Sequence, residues 1–142
     1  MKSSGELTQV LKIDHVGIAV ENLENAIGVF EQKLGAEFLY RAESDEQKTV
    51  SAKMRLGEAD FELMEPISPD GPVGKFMTKK GAGIHHISIK TPNLDDTIGL
   101  LRRNGVEIGR IFSGPDYRVA FIHPKDAAGI LIEVIERASG QD

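Results

Sequence analysis

Apolar and polar positions alternate over Ile13–Val20. Val16, Ile18 and Val20 fall on one side, and His15, Gly17 and Ala19 on the other, the two-residue period of a β-strand. At Leu23 the period changes. Leu23, Ala26, Ile27, Phe30 and Leu34 recur at helical spacing, with Asn22 suited to cap the start and Gly35 to end it. Three shorter runs, Glu37–Arg41, Thr49–Leu56 and Ala59–Glu65, predict strands, the last two joined by a tight turn at Leu56–Ala59. Residues 13–65 therefore predict a β-α-β-β-β module.

Residues 66–83 form a connector. Pro66, Pro69, Asp70, Gly71 and Pro72 interrupt regular structure, and Val73–Lys80 suits two helical turns with Val73, Phe76 and Met77 on one side. The first pattern then returns over residues 84–136. Ile84–Lys90 predicts a strand, and Asn93 caps a helix that turns Leu94, Ile98 and Leu101 inward and stops at Gly105. Strands are predicted at Val106–Phe112, Tyr117–His123 and Gly129–Ile135. The expected fold class is α+β: one domain over residues 1–142, with two tandem β-α-β-β-β modules forming a curved, cleft-enclosing mixed sheet. Helices are expected on the outer, apolar faces. Met1–Lys12 reads as a frayed polar start.

The repetition extends to individual residues. His15 and His86 are 71 positions apart, as are Glu62 and Glu133, and the segments His15–Gly28 and His86–Gly99 align without a gap. Strand parity places all four residues on the face away from the apolar stripe. A carboxylate on a central strand needs compensation, because an unpaired buried charge is very costly. Two imidazoles and two carboxylates around one divalent cation provide it. Such nitrogen and oxygen donors suit Co2+ or Mn2+, and also Zn2+, Ni2+ or Fe2+. Glu65 and Glu136 repeat at the same offset, but each lies three positions past a candidate ligand and reads as a rim residue at a strand end. His85 points opposite to His86 and reads as structural. His123, before Pro124, reads as a rim or loop-fixing residue.

Composition narrows the classes. The chain has 142 residues, 40% hydrophobic and 27% charged, ordinary for a globular domain. No apolar run approaches the ~20 residues needed to cross a membrane, and Met1–Lys12 lacks the apolar stretch of a signal peptide. The net charge of −5 argues against a nucleic-acid partner. There is no cysteine, so thiolate metal sites and disulfides are excluded, which is compatible with a cytoplasmic protein.

Several segments resemble the vicinal oxygen chelate (glyoxalase/bleomycin resistance/dioxygenase) superfamily, and within it the methylmalonyl-CoA epimerases. They are Ile13–Val20, Glu62–Pro66, Gly83–Ile87, Phe121–Lys125 with Gly129–Glu133, and the connector stretch Ser68–Phe76. The resemblance covers Ile13 to Glu136. It implies the paired-module vicinal oxygen chelate fold, a divalent metal (often cobalt or manganese) and a homodimer. By motif the ligands fall on His15, His86 and Glu133, and Glu62 occupies a position that is glutamine or glutamate across the family. The implied reaction moves the C2 proton of methylmalonyl-CoA or a similar acyl-CoA, with the metal stabilising an enolate and an acid–base pair exchanging the proton. Glu62 and Glu133 are the candidate catalytic carboxylates. The sequence departs from the pattern at Ser51, where some epimerases place a second catalytic glutamate. Cations for the CoA are sought among Lys75, Lys79, Lys80, Arg118 and Lys125. Ser51, Arg118 and Lys125 are the substrate-binding candidates, with the turn Gly114–Arg118 beside them.

Three other functions are compatible with parts of this pattern. A glyoxalase I-like lactoylglutathione lyase would use the same four ligands. An extradiol-type dioxygenase would want Fe2+ with two His, one Glu and open positions, and is disfavoured by the short two-module chain. A non-catalytic small-molecule binding protein would not need the intact His and Glu pairs. The connector and the His123–Lys125 segment favour the epimerase over the lyase.

Overall fold

A computed structural model describes residues 11–138; the polar start expected over Met1–Lys12 lies, up to residue 10, outside them. Eight strands and three α-helices follow in the order β1 (Lys12–Ala19), α1 (Leu23–Gln32), β2 (Glu37–Ser44), β3 (Thr49–Leu56), β4 (Ala59–Pro66), α2 (Pro72–Lys80), β5 (Gly83–Lys90), α3 (Leu94–Arg103), β6 (Phe112–Ser113), β7 (Tyr117–Ile122) and β8 (Ile132–Arg137). The described residues divide into two compact units, His15–His85, and residues 86–138 together with those from 11 to Asp14.

In the first unit the strands neighbour one another as β2-β3-β4-β1. β1 runs parallel to β4, while β2–β3 and β3–β4 are antiparallel. The Asn22 side chain accepts a hydrogen bond from the Asn25 amide, the cap its position predicts. Gly35, at φ 74°, ends the helical segment, and the Ala36 amide returns to the Phe30 carbonyl. Leu23 and Ile27 of α1 pack on Ala52, Met54 and Leu63, which share one face of β3 and β4. The other face bears His15, Gly17 and Ala19 of β1 and Glu62 and Met64 of β4.

Helix α2 departs from the expectation that helices cover only the outer faces. Its Val73 packs on Ala19 and Met64, at the far end of the face that carries His15 and Glu62. Gly74 permits a close approach there, since a Cβ would stand 2.3 Å from the Ser68 carbonyl oxygen.

The second unit repeats the plan as β5-β8-β7-β6, with β5 parallel to β8 and the remaining pairs antiparallel. Leu94 and Ile98 of α3 pack on Ala120, Ile122 and Val134. The predicted strand Val106–Phe112 does not form as such. Ile108 makes one isolated bridge to Ile122, and pairing resumes only at Phe112–Ser113. Between them Gly109 weakens the extended run, and the Arg110 guanidinium lies 4.4 Å from the Phe112 ring centroid. The last strand begins at Ile132 rather than Gly129. Ala128 and Gly129 both take positive φ, leaving a short 3-10 turn, Pro124–Asp126, within the β7–β8 connection. Asp14 and Arg137, both nearly buried, join β1 to β8 through a two-pronged ion pair at 2.7 and 3.0 Å.

Candidate functional site

His15 is 4% exposed, on β1, and the parallel register sets Gly17 beside Glu62 of β4. Glu62, half-buried, brings Oε1 to 3.3 Å from His15 Nε2. The antiparallel register on the other side of β4 sets Lys53 opposite Glu62. Lys53 is 6% exposed, with its Nζ 3.5 Å from His15 Nδ1. One imidazole, one carboxylate and one ammonium thus cluster on the face opposite the α1 core.

The corresponding place in the second unit has different neighbours. His86 is 3% exposed and meets the Phe121 ring edge-on at 6.4 Å. Phe121 stands opposite Glu133 as Lys53 stands opposite Glu62. Ser88 takes the position of Gly17, beside Glu133 in the parallel register. Its hydroxyl donates to Glu133 Oε1 at 2.6 Å, and both side chains are buried. A charge-assisted hydrogen bond of that length fixes the carboxylate. The two Glu residues therefore have unequal surroundings, one held by a serine and one facing a histidine and a lysine.

Lys53, Ser88 and Phe121 are the residues that motif reading missed. Parity could have found Lys53, two positions after the inward Ser51 on one strand. The same 71-residue offset links Gly17 and Ser88, but a glycine-to-serine difference carries no chemistry until the register is known.

The repeated Glu65 and Glu136 have a firmer role than rim residues. Glu65 Oε1 accepts from the Leu23 amide at 2.7 Å, and Glu136 Oε1 from the Leu94 amide at 2.6 Å. Each carboxylate satisfies a first-turn donor and sits at the positive end of a helix dipole. His85 packs edge-on against Phe76 at 5.0 Å. His123 fixes its loop, its Nδ1 accepting from the Lys125 amide at 3.0 Å.

Each substrate-binding candidate has its own contacts. Ser51, buried, lines a cavity of about 460 Å³ together with Leu23, Arg41 and Glu65. Arg118 donates to Asp95 at 3.0 Å and holds that carboxyl below its ordinary value, first through the hydrogen bond and then through charge. Lys125 does the same to Glu107 at 2.7 Å. Both cations are on the surface. The turn before Arg118 is closed by the Gly114 amide on the Tyr117 carbonyl, at 2.9 Å. Lys75 and Lys79 border a separate open cavity of about 730 Å³ with Phe76 and Pro72.

The chain is 34% identical over 133 residues to the Bacillus subtilis (strain 168) protein YqjC, which is itself uncharacterized; the match covers 92% of this chain and 95% of YqjC. It is 30% identical to the mitochondrial methylmalonyl-CoA epimerase of Homo sapiens, over 92% of this chain and 77% of that one. The crystal structure of methylmalonyl-CoA epimerase from Mycobacterium tuberculosis superposes with a TM-score of 0.85 at 34% identity, covering 97% of this chain and 93% of that one. The model of the Glyoxalase/Bleomycin resistance protein/Dioxygenase superfamily matches residues 14–121, most of both repeats, and the chain belongs to that superfamily.

Proposed function

We propose that this protein is a metal-dependent epimerase acting at C2 of methylmalonyl-CoA or a similar acyl-CoA. The observation that carries the reading is a buried imidazole on one strand and a carboxylate on its parallel neighbour, at the same register in each unit of a chain that matches methylmalonyl-CoA epimerases over most of its length. We assign His15, Glu62, His86 and Glu133 as the donors to one divalent ion, with Co2+ or Mn2+ the first choices. The donor chemistry suits such an ion: two imidazoles and two carboxylates, with no thiolate in the chain. A bound ion would supply Lewis-acid stabilisation of the charge that develops on the thioester oxygen.

The chain's own residues would do the rest. Glu133, held by Ser88, and Glu62, next to His15, are the carboxylates available to take the C2 proton on one side and return it on the other. Ser51 cannot act as a strong base unaided, and we assign it, with Arg118 and Lys125, to binding the substrate. The surface ion pairs at Arg118 and Lys125 are exposed and exchange readily for an anionic ligand. We assign the protein to the cytoplasm as a homodimer. Among the described residues no helix is long and apolar enough to cross a membrane.

The deciding experiment is NMR of methylmalonyl-CoA in D2O with the protein and added Co2+ or Mn2+. Loss of the C2 proton signal at a catalytic rate is the expected result. No exchange, together with lactoylglutathione formation from methylglyoxal and glutathione, would reverse the assignment in favour of the lyase.

A further inference from the structure

Beside Glu133 the second unit carries apolar side chains that the proton-transfer scheme above does not use. Phe121 stands opposite Glu133 in the antiparallel register of β7 and β8, and Val119 opposite Ile135. Phe112 of β6 stands opposite Val119. Directly paired residues project from the same face of a sheet, so Phe112, Val119, Phe121 and Ile135 share the face of Glu133. The rings meet edge to face, Phe112 with Phe121 at 6.0 Å and Phe121 with His86 at 6.4 Å. The core under α3 is built instead from Ala120, Ile122 and Val134 on the other face. Val119 and Ile135 are buried, whereas Phe112 and Phe121 keep part of their surface open. In the first unit the places matching Val119 and Phe121 hold Ser51 and Lys53. An aromatic ring opposite the carboxylate is thus particular to the second unit.

Loss of the C2 proton from a substituted malonyl thioester breaks one C–H bond and leaves its electron pair shared with the thioester carbonyl. C2 becomes planar, and reprotonation on the opposite face gives the epimer. Only the hydrogen changes sides. The alkyl branch stays close to where it began, so one fixed surface can hold it in both epimers. The carboxylate and thioester oxygens need cations or hydrogen-bond donors, whereas the branch gains by leaving water. Directly opposed residues have Cβ atoms about 5 Å apart, which brings a branch on a carbon reacting at Glu133 within reach of the Phe121 ring. We infer that Phe121 is a specificity-determining residue: its ring, backed by Phe112, receives the C2 alkyl branch of the acyl group and limits its length. The inference rests on the epimerase reading above and on its use of Glu133.

Malonyl-, methylmalonyl- and ethylmalonyl-CoA differ only in that branch. Exchange of the C2 proton in D2O with Co2+ present, corrected for the uncatalysed rate, gives kcat/KM for each with wild type, F121A, F121V and F121L. Wild type is expected to favour methylmalonyl-CoA over ethylmalonyl-CoA. One methylene in an apolar pocket changes kcat/KM by roughly 10–200-fold. F121A is expected to lower the methylmalonyl-to-malonyl ratio and to raise the ethylmalonyl-to-methylmalonyl ratio, each by about tenfold or more. F121L, still apolar and nearly as long, is expected to keep the wild-type order. The ratios cancel any loss common to all three substrates, which is what a purely structural role for Phe121 would cause. Ratios in F121A equal to wild type, or a wild type that exchanges ethylmalonyl-CoA as well as methylmalonyl-CoA, overturn the inference and leave the epimerase reading standing. Absence of exchange by wild type with all three substrates overturns both. A thermal melt shows that each variant is folded, and F121V carries the same ratio test should F121A fail to fold.

Discussion

Ser88 shows how one hydroxyl differentiates two carboxylates that the sequence presents as equals. It donates to Glu133 at 2.6 Å inside the sheet, whereas Gly17, at the matching place beside Glu62, carries no hydroxyl. Ser88→Ala is expected to lower kcat by roughly 10–100-fold, the usual effect of removing a hydrogen-bond partner of a metal-site ligand, with KM little changed; equal losses in KM alone would place Ser88 in substrate binding instead. His86→Ala is expected to abolish stoichiometric Co2+ binding, and metal retained by that variant would sink the ligand assignment. At the surface, Lys125→Ala is expected to raise KM for the acyl-CoA while leaving kcat near wild type, and to return the Glu107 carboxyl toward its ordinary value, a change readable by NMR titration. The sign for stability follows from that depression. The Lys125–Glu107 contribution is present above the unfolded carboxyl value, near 4.5, and is lost as pH falls through the lower folded one. The effect is small because both groups are exposed.

At the scale of elements, the repeat is held together by a device that its motifs conceal. Glu65 and Glu136 each tie the last part of a strand to the first amide of a helix in the same unit. Glu136→Ala removes a charged acceptor from the start of α3 and is expected to cost about 1–2 kcal/mol. The readout is a lower midpoint in urea together with faster hydrogen exchange at the Leu94 amide. Faster exchange without loss of stability would show the carboxylate to be dispensable. Helices α1 and α3 were legible because their signals are local: an Asn cap, apolar residues at helical spacing, and a glycine past the end; α1 nevertheless stops at Gln32, so Leu34, expected on its inner side, lies beyond it and is exposed. The strand expected over Val106–Phe112 was not, because its residues have strand-like composition and the pairing that defines a strand depends on distant partners. Only Ile108 and Phe112 found them in register with β7.

At the scale of the whole molecule, each unit encloses its own apolar core between a helix and a face of its strands. The Asp14–Arg137 pair fastens the N-terminal end of β1 to the last strand across 123 positions of sequence. Arg137→Met leaves Asp14 as a nearly buried carboxylate without its guanidinium. It is expected to destabilise the fold by about 3 kcal/mol, measured as a shift of the denaturation midpoint at unchanged slope. The proposed metal gives a further check. A saturating excess of Co2+ at about 100 times its Kd should stabilise wild type by about 2.7 kcal/mol and leave His86→Ala unmoved.

The sequence by itself determined the two-module plan, the starts of α1 and α3, the strand parity that turns His15, Glu62, His86 and Glu133 from the helix-packed faces, and the absence of any thiolate ligand. These follow from local periodicity and from a repeat with one constant offset. Only the tertiary structure decided what stands beside each of those residues. Register across neighbouring strands put Lys53 opposite Glu62, Phe121 opposite Glu133, and the Ser88 hydroxyl beside Glu133 where the first repeat sets Gly17 beside Glu62. Alternation along a strand fixes a side chain's face, whereas its cross-strand neighbour depends on how segments far apart in the chain align. The difference between the two halves of the proposed site therefore lies in the pairing, beneath a sequence that repeats.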